Sequence, residues 1–243
     1  MSDRPTGYLS AEEIEALSSV STATITTQLL NRGFRNTFMQ DVRPIRADMR
    51  MLGYAFTLRY IPMREDLDVG ASFDNLTNPQ RIAIEQIGPQ DVLVVDARGE
   101  TGSGVLGDIL ITRIKVRGAA GVVTDGSYRD TPGVAEVGIP AYARGMHGTA
   151  SSKLHHPVDI NLPIGCGGVP VFPGDLIVGD AEGVVVIPAH LAAEVAHAAL
   201  AQERYEAWAL AKIQAGASIV GTYPPDDATS AAYEAETGGK AGH

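Results

Sequence analysis

The stretch DVLVVDARGETGSGVLGDILITRIKVRGAAGVVT, residues 91–124, decides the fold. It opens on a short valine-rich run, passes through a loop with glycines at 99, 102, 104 and 107, and turns into a segment of helical spacing. There Ile109, then Ile111 or Thr112, then Val116 mark one face, and Gly118 precedes a second apolar run, GVVT. A buried strand, a glycine loop, a helix and another buried strand make a βαβ unit, so the two strands are expected to be parallel neighbours. Their C-terminal ends then share one edge, where ligands of such sheets bind.

Outward from this unit the pattern is mixed α/β. LSAEEIEAL (9–17) predicts a helix with Ser10 as N-cap and Glu13 at the capping-box position. STATITTQLLNRG (21–33) predicts a second helix closed by Gly33. YAFTLRYIP (54–62) reads as a strand ended by Pro62, and NPQRIAIEQIGPQ (78–90) as a short helix with Pro79 in its first turn. After the strand GIPAYARG (138–145), the segment 158–188 alternates short β runs with GCGG, PGD and DAEG, the mark of antiparallel pairing through tight turns. Residues 189–216 form one long helix, and the polar, alanine-rich end from Pro224 reads as an arm or a frayed tail. The expected organisation is a single domain over 1–223 with residues 224–243 appended.

Composition sets outer limits. The 243 residues carry a formal charge of −10, and no run of basic residues is present, which argues against binding nucleic acid through its phosphates. A small anion can still bind where an arginine or a metal reverses the local field. The single cysteine, Cys166, precludes an internal disulfide, and the cytoplasm is the expected compartment. No window is apolar enough to span a membrane, and the N-terminus lacks the apolar core of a signal peptide.

Two motifs carry chemistry. In GSGVLGDIL (102–110) the glycines allow close backbone approach, and the first-turn amides of the following helix, Gly107 to Leu110, offer a dock for a carboxylate or phosphate. The G-x-G-x-x-G spacing also fits a dinucleotide loop with Asp125 near the ribose distance, but no GK[ST] follows as in a P-loop. The plain alternative is a flexible connection with Asp108 as a helix-cap residue. In TDGSYRD (124–130), Arg129 and Asp130 follow the second strand and are expected to converge with Asp108, giving two carboxylates for a hard cation and an arginine for an anionic oxygen. The plain alternative is a β-turn at Asp125–Gly126 with Arg129 and Asp130 paired at the surface. His155 and His156 lack zinc spacing and read as surface or core residues. Cys166 reads as a small buried residue rather than a nucleophile. Glu203 and Glu206 lie on a polar stretch of the last helix.

Taken in order, GDILITRIKVRGAAGVVTDGSYRD, GIPAYARG and CGGVPVFPGDLIVGDAEGVVVIP resemble the RraA-like family, which holds 4-hydroxy-4-methyl-2-oxoglutarate/4-carboxy-4-hydroxy-2-oxoadipate aldolases and regulators of ribonuclease activity. The resemblance implies a layered α/β/β/α sandwich like the swivelling phosphohistidine domain, assembled as a homotrimer or a hexamer of two trimers. In the aldolase branch it implies that Asp130 ligates Mg²⁺ or Mn²⁺. Arg129 would contact the keto oxygen of the substrate, and Asp108 would order a water on the metal. The amides of Ile109 and Leu110, beside Gly107, would bind the pyruvyl carboxylate. Glu206 or Glu203 of a neighbouring subunit would complete the outer shell, and Asp125 is the family's structural turn aspartate. The implied activity is metal-dependent cleavage of a 4-hydroxy-2-oxo dicarboxylic acid to pyruvate and a second oxo acid. Oxaloacetate decarboxylation would pass through the same enolate. The alternatives are a non-catalytic regulator of a ribonuclease, or a lyase for another 2-oxo acid.

Overall fold

The computed structural model describes residues 9–68 and 74–240. Two helices begin it, α1 (Ala11–Ser19) and α2 (Thr22–Asn31). Ser10 and Glu13 close the predicted capping box on α1, and the Ser21 side chain caps α2. Then come β1 (Arg43–Pro44), β2 (Met51–Pro62), α3 (Glu65–Asp68) and α4 (Pro79–Gln86), the last capped by Asn78 with proline in its first turn. The central run is β3 (Asp91–Asp96), β4 (Gly104–Leu106), α5 (Asp108–Val116), β5 (Gly121–Tyr128), α6 (Thr131–Val137) and β6 (Ala141–Met146). The remainder is β7 (His155–Ile160), β8 (Ile164–Cys166), β9 (Val169–Val171), β10 (Leu176–Gly179), β11 (Val184–Ile187), α7 (Ala192–Gln214) and α8 (Asp227–Thr237).

The expected βαβ unit is present: β3 and β5 are parallel neighbours, and β2–β3 and β5–β6 extend the parallel set on either side. The main sheet runs β1-β6-β5-β3-β2-β10-β11, with β4 also on β5 and β7 also on β2. The pairs β8–β9 and β10–β11 are antiparallel, as the turn-rich sequence predicts.

Strand alternation sorts side chains into three cores. Leu93 and Val95 of β3 pack with Ile84 of α4, Ile111 and Ile114 of α5 and Val134 of α6. Val92 and Val94 face the other way and meet Ile177 of β10, Val184 and Val186 of β11, and the β8–β9 ribbon. Val185 and Ile187 of β11 turn outward again, onto α1, α2 and α7. Helices, strands, strands and helices therefore stack as the layered α/β/β/α arrangement expected. The sheet is nearly closed, because the segment 38–44 pairs at Phe38 with Val185 of β11 and at Arg43–Pro44 with β6.

Three local expectations need correction. The second strand does not stop at Thr124 but runs to Tyr128, so Asp125–Gly126 is not a turn. The register between β5 and β6 shifts between Thr124 and Ser127, and the strand bulges there. Asp125 is tolerated in the buried strand because its carboxylate accepts the amides of Ala97 (2.8 Å) and Gly99 (3.0 Å), which fold the loop after β3. On α5 the buried face is Ile111 and Ile114, while Ile109 and Val116 are exposed. Finally, the stretch beyond Pro224 is not frayed over 227–237. It forms α8, capped by Asp226, and folds back so that Tyr233 packs edge-on against Tyr205 and Trp208.

Candidate active site

The site is built where β4 and β5 end together. The Arg129 amide donates to the Leu106 carbonyl (3.0 Å), which continues the β4–β5 pairing one residue past the strand. Gly104 leaves room for this: a Cβ there would lie 2.7 Å from Arg129 N. Asp130 then adopts a left-handed backbone, φ 54° and ψ 35°, and starts α6. A non-glycine residue pays about 1–2 kcal/mol for that conformation, a strain met most often at functional sites. Its side chain does not cap α6. It turns back instead, and Arg129 Nε donates to Asp130 Oδ2 at 2.9 Å.

α5 starts opposite, with Gly107 as an N-cap that has no side chain to bond the helix. A Cβ on Gly107 would sit 2.6 Å from Asp130 Oδ2 and 3.1 Å from Arg129 Cγ. The next residue, Asp108, places Oδ2 where a Cβ on Gly133 of α6 would come within 2.7 Å, and its Oδ1 accepts the Ile109 amide at 2.7 Å. The expected convergence of Asp108, Arg129 and Asp130 is therefore present, at the meeting of α5 and α6. The Arg129–Asp130 pair is about 40% exposed on both sides, so it adds little stability of its own.

A cleft of about 640 Å³ opens beside this cluster. Gly104–Gly107, Leu110 and Arg129 line one part of it, and Gln80, Arg81 and residues 155–158 another. Gln80 Nε2 ties the two, donating at 2.7 Å to both the Tyr60 hydroxyl and the Val105 carbonyl. Burial raises the Tyr60 phenol far above its ordinary range, so it stays neutral. Asp108, Ile109 and Asp130 stand at the rim and do not line the cleft, and Ile109 points outward, 79% exposed.

No group of three or more His, Cys, Asp or Glu among the described residues is disposed to cage a metal. Asp108 and Asp130 fit a looser requirement: Mg²⁺ is held through one or two carboxylates while water and substrate oxygens complete its shell.

The remaining predicted residues separate cleanly. Cys166 is fully buried, as expected, and burial pushes its thiol well above the usual range. Asp125 is structural, through the amides it holds rather than through a turn. Glu203 accepts from the Ser21 amide (2.9 Å) and the Thr24 hydroxyl (2.8 Å) and so fastens the start of α2. Burial opposes its ionisation, but the Ser21 and Thr24 hydrogen bonds outweigh burial and leave its carboxyl below the usual value. Glu206 accepts from Gln202 and from the Tyr223 hydroxyl, each at 2.8 Å. Neither glutamate lines the cleft of its own chain.

His156, in contrast, does line the cleft, and its Nδ1 lies 2.7 Å from Asp68 Oδ1. Sequence reasoning passed over this pair because no local spacing joins residues 88 positions apart. His155, its neighbour on the strand, is buried against Tyr60, the two rings tilted at 49° with centroids 5.3 Å apart. Alternation along a β-strand was the available signal that the two would differ.

The edge of this α/β sandwich thus gathers an arginine, two carboxylates and a helix N-terminus. The family model described as Aldolase/RraA matches residues 22–186, and the chain belongs to the RraA-like family. A Halalkalibacterium halodurans protein named "Putative 4-hydroxy-4-methyl-2-oxoglutarate aldolase" is 39% identical over 147 residues, which are 60% of this chain and 64% of that protein's length. The structure of Streptomyces coelicolor RraAS2, titled an unusual member of the RNase ES inhibitor RraA protein family, is 33% identical. It superposes with a TM-score of 0.76 over 84% of this chain and 100% of that one. The structure of the RNA-processing inhibitor RraA from Thermus thermophilis is 29% identical, with a TM-score of 0.53 over 67% of this chain and 92% of that one.

Proposed function

We propose that this protein is a divalent-metal-dependent lyase that cleaves a 4-hydroxy-2-oxo dicarboxylic acid, such as 4-hydroxy-4-methyl-2-oxoglutarate, to pyruvate and a second oxo acid. The observation that carries the reading is the convergence of Asp108, Arg129 and Asp130 around the bare Gly107. The aldolase name of a relative 39% identical points the same way.

In this reading the first-turn N–H groups of α5, at Ile109 and Leu110, receive the substrate carboxylate, since helix N-termini carry unpaired donors and favour negative charge. Ile109 N–H now donates to Asp108, so a substrate carboxylate would take over that donor. Arg129 donates to the 2-oxo oxygen, where charge accumulates as the C3–C4 bond breaks, and Asp130 holds the guanidinium in place. A Mg²⁺ or Mn²⁺ held by Asp130, with Asp108 beside it, supplies Lewis-acid stabilisation of the same charge. Oxaloacetate decarboxylation passes through the same pyruvate enolate and is part of the proposal. No lysine is among the described residues lining the cleft, which gives an imine route no nucleophile from them. Assembly as a trimer or a pair of trimers, with Glu206 of a neighbouring chain completing the site, also belongs to this reading, as does a cytoplasmic setting.

A second reading, a regulator that binds a ribonuclease, draws on the inhibitor titles of the two solved relatives. Pyruvate release from a panel of 4-hydroxy-2-oxo acids decides between them. The lyase forms pyruvate with Mg²⁺, stops with a chelator, and loses the activity in Asp130→Ala while its melting temperature stays within a few degrees. Absence of pyruvate across the panel, with inhibition of a ribonuclease unaffected by chelator, would establish the regulator.

A further inference from the structure

The retro-aldol step needs a base for the C4 hydroxyl, and the cleft offers one that neither the motifs nor the family match assigns. We propose that His156, oriented by Asp68, is that base. This rests on the lyase reading above. Asp68 is well anchored: its side chain is 13% exposed, its Oδ2 accepts the Arg64 amide at 2.8 Å, and its Oδ1 faces His156 Nδ1 at 2.7 Å. A carboxylate only accepts, so Nδ1 carries the hydrogen and Nε2 is left with a free lone pair. The His156 side chain is 29% exposed and lines the cleft, so a ligand can reach it.

The placement suits the reaction. His156 lines the same cleft as Gly107, Leu110 and Arg129, where the pyruvyl end of the substrate would bind. The other candidate bases in that lining are otherwise engaged or hidden. Asp74 accepts from the Leu76 amide and the Thr77 hydroxyl, Arg81 is a cation, and His155 is buried. Asp108 stands at the rim with Oδ1 taken by Ile109 N–H.

The step balances without a further reactant. His156 Nε2 takes the proton of the C4 hydroxyl, the electron pair of the broken O–H bond forms the carbonyl π bond of the departing oxo acid, and the C3–C4 electrons pass into the pyruvate enolate. Protonation at C3, by the imidazolium or by water, completes pyruvate. Asp68 acts through His156 and is a positioning residue.

Oxaloacetate decarboxylation supplies the test, because it makes the same enolate without any C4 hydroxyl proton to remove. Aldol cleavage and decarboxylation are to be measured side by side with Mg²⁺ in the wild type, His156→Gln, Asp68→Asn and Asp130→Ala. The expected result is a fall in aldol kcat of about 10²-fold or more in His156→Gln, with the ratio of aldol to decarboxylase activity shifted at least about 30-fold, and a smaller shift of the same sign in Asp68→Asn. Asp130→Ala should lose both activities with the ratio undefined. Equal losses of both activities in His156→Gln, or a raised KM with kcat unchanged, would overturn the assignment. If the wild type performs neither reaction, the lyase reading falls and takes this proposal with it. Nitrogen-15 NMR of the imidazoles, with His156→Gln for assignment, gives a readout without turnover. A hydrogen on Nε2 rather than Nδ1 of neutral His156 would also refute the proposal.

Discussion

Gly107 and Asp130 are packed so closely that a single methyl group on the glycine would lie 2.6 Å from the aspartate's Oδ2. The glycine is there for space and not for conformation, because its φ of −124° and ψ of −177° are open to any residue. Gly107→Ala should therefore fold, yet displace Asp130 and Arg129 together. We expect pyruvate formation to fall about 10²-fold or more, with a weakened response to Mg²⁺. Gly165→Ala is the matched control, since nothing lies within 4 Å of its Cβ position. Equal activities in the two variants would remove Gly107 from the site.

Arg129→Lys should be severely impaired despite its conserved charge. Lysine lacks the planar fork that lets Nε meet Asp130 while the terminal nitrogens face a ligand. A drop in kcat of about 10²-fold or more is expected for the loss of one preorganised stabiliser. Turnover close to wild type would reduce the arginine to a source of general field.

Glu206 should serve a neighbour's cleft. Mixing inactive Asp130→Ala chains with inactive Glu206→Ala chains under subunit exchange should restore part of the activity, because some interfaces then hold both residues intact. Native mass spectrometry must show mixed oligomers for the result to count. Mixed oligomers without activity, or a solution mass of one chain, would dispose of the shared site. Glu203 should not complement in the same way, since it fastens the start of α2; Glu203→Ala is expected to cost about 1–2 kcal/mol of stability, read as a lower melting temperature.

His155 should make the fold acid-sensitive. Burial and the nearby Arg98 cation hold its folded-state pKa below the ordinary value of 6.5, and neither ring nitrogen has a hydrogen-bond partner among the described residues. The unfolded chain then binds the proton more readily, so stability is full above about pH 6.5 and declines as pH falls from there through the folded pKa. Melting temperatures at pH 7.5 and 5.5 should differ less in His155→Phe than in the wild type. An unchanged difference would show that other groups govern the acid limb.

Much of this architecture was legible in the residues. The run 91–124 announced itself because apolar length, glycine placement and helical spacing agreed, and the convergence of Asp108 with Arg129 and Asp130 followed from parallel strands sharing an edge. Asp125–Gly126 misled because that dipeptide ordinarily makes turns. The amides of Ala97 and Gly99, brought back by the chain after Asp96, together with that of Gly167, make a buried aspartate acceptable in a strand. α8 was hidden by Pro224, Pro225 and a polar composition, since its order comes from Tyr233 meeting two aromatics on a different helix. The Asp68–His156 pair was invisible for the same reason: tertiary pairing of distant segments leaves no local pattern.

The segment 38–44 also governs when the molecule can be finished. It clasps β11 at Phe38 and β6 at Arg43, so the two bare edges of the sheet are sealed by residues from early in the chain meeting partners that are synthesised much later. Until Val185 has left the ribosome, β10 and the clasp have no partner strand there and expose unpaired backbone. Closure of so long a loop is slow relative to local helix formation. The nascent chain therefore passes through a period with an adhesive edge, and that period ends only when the last strand arrives.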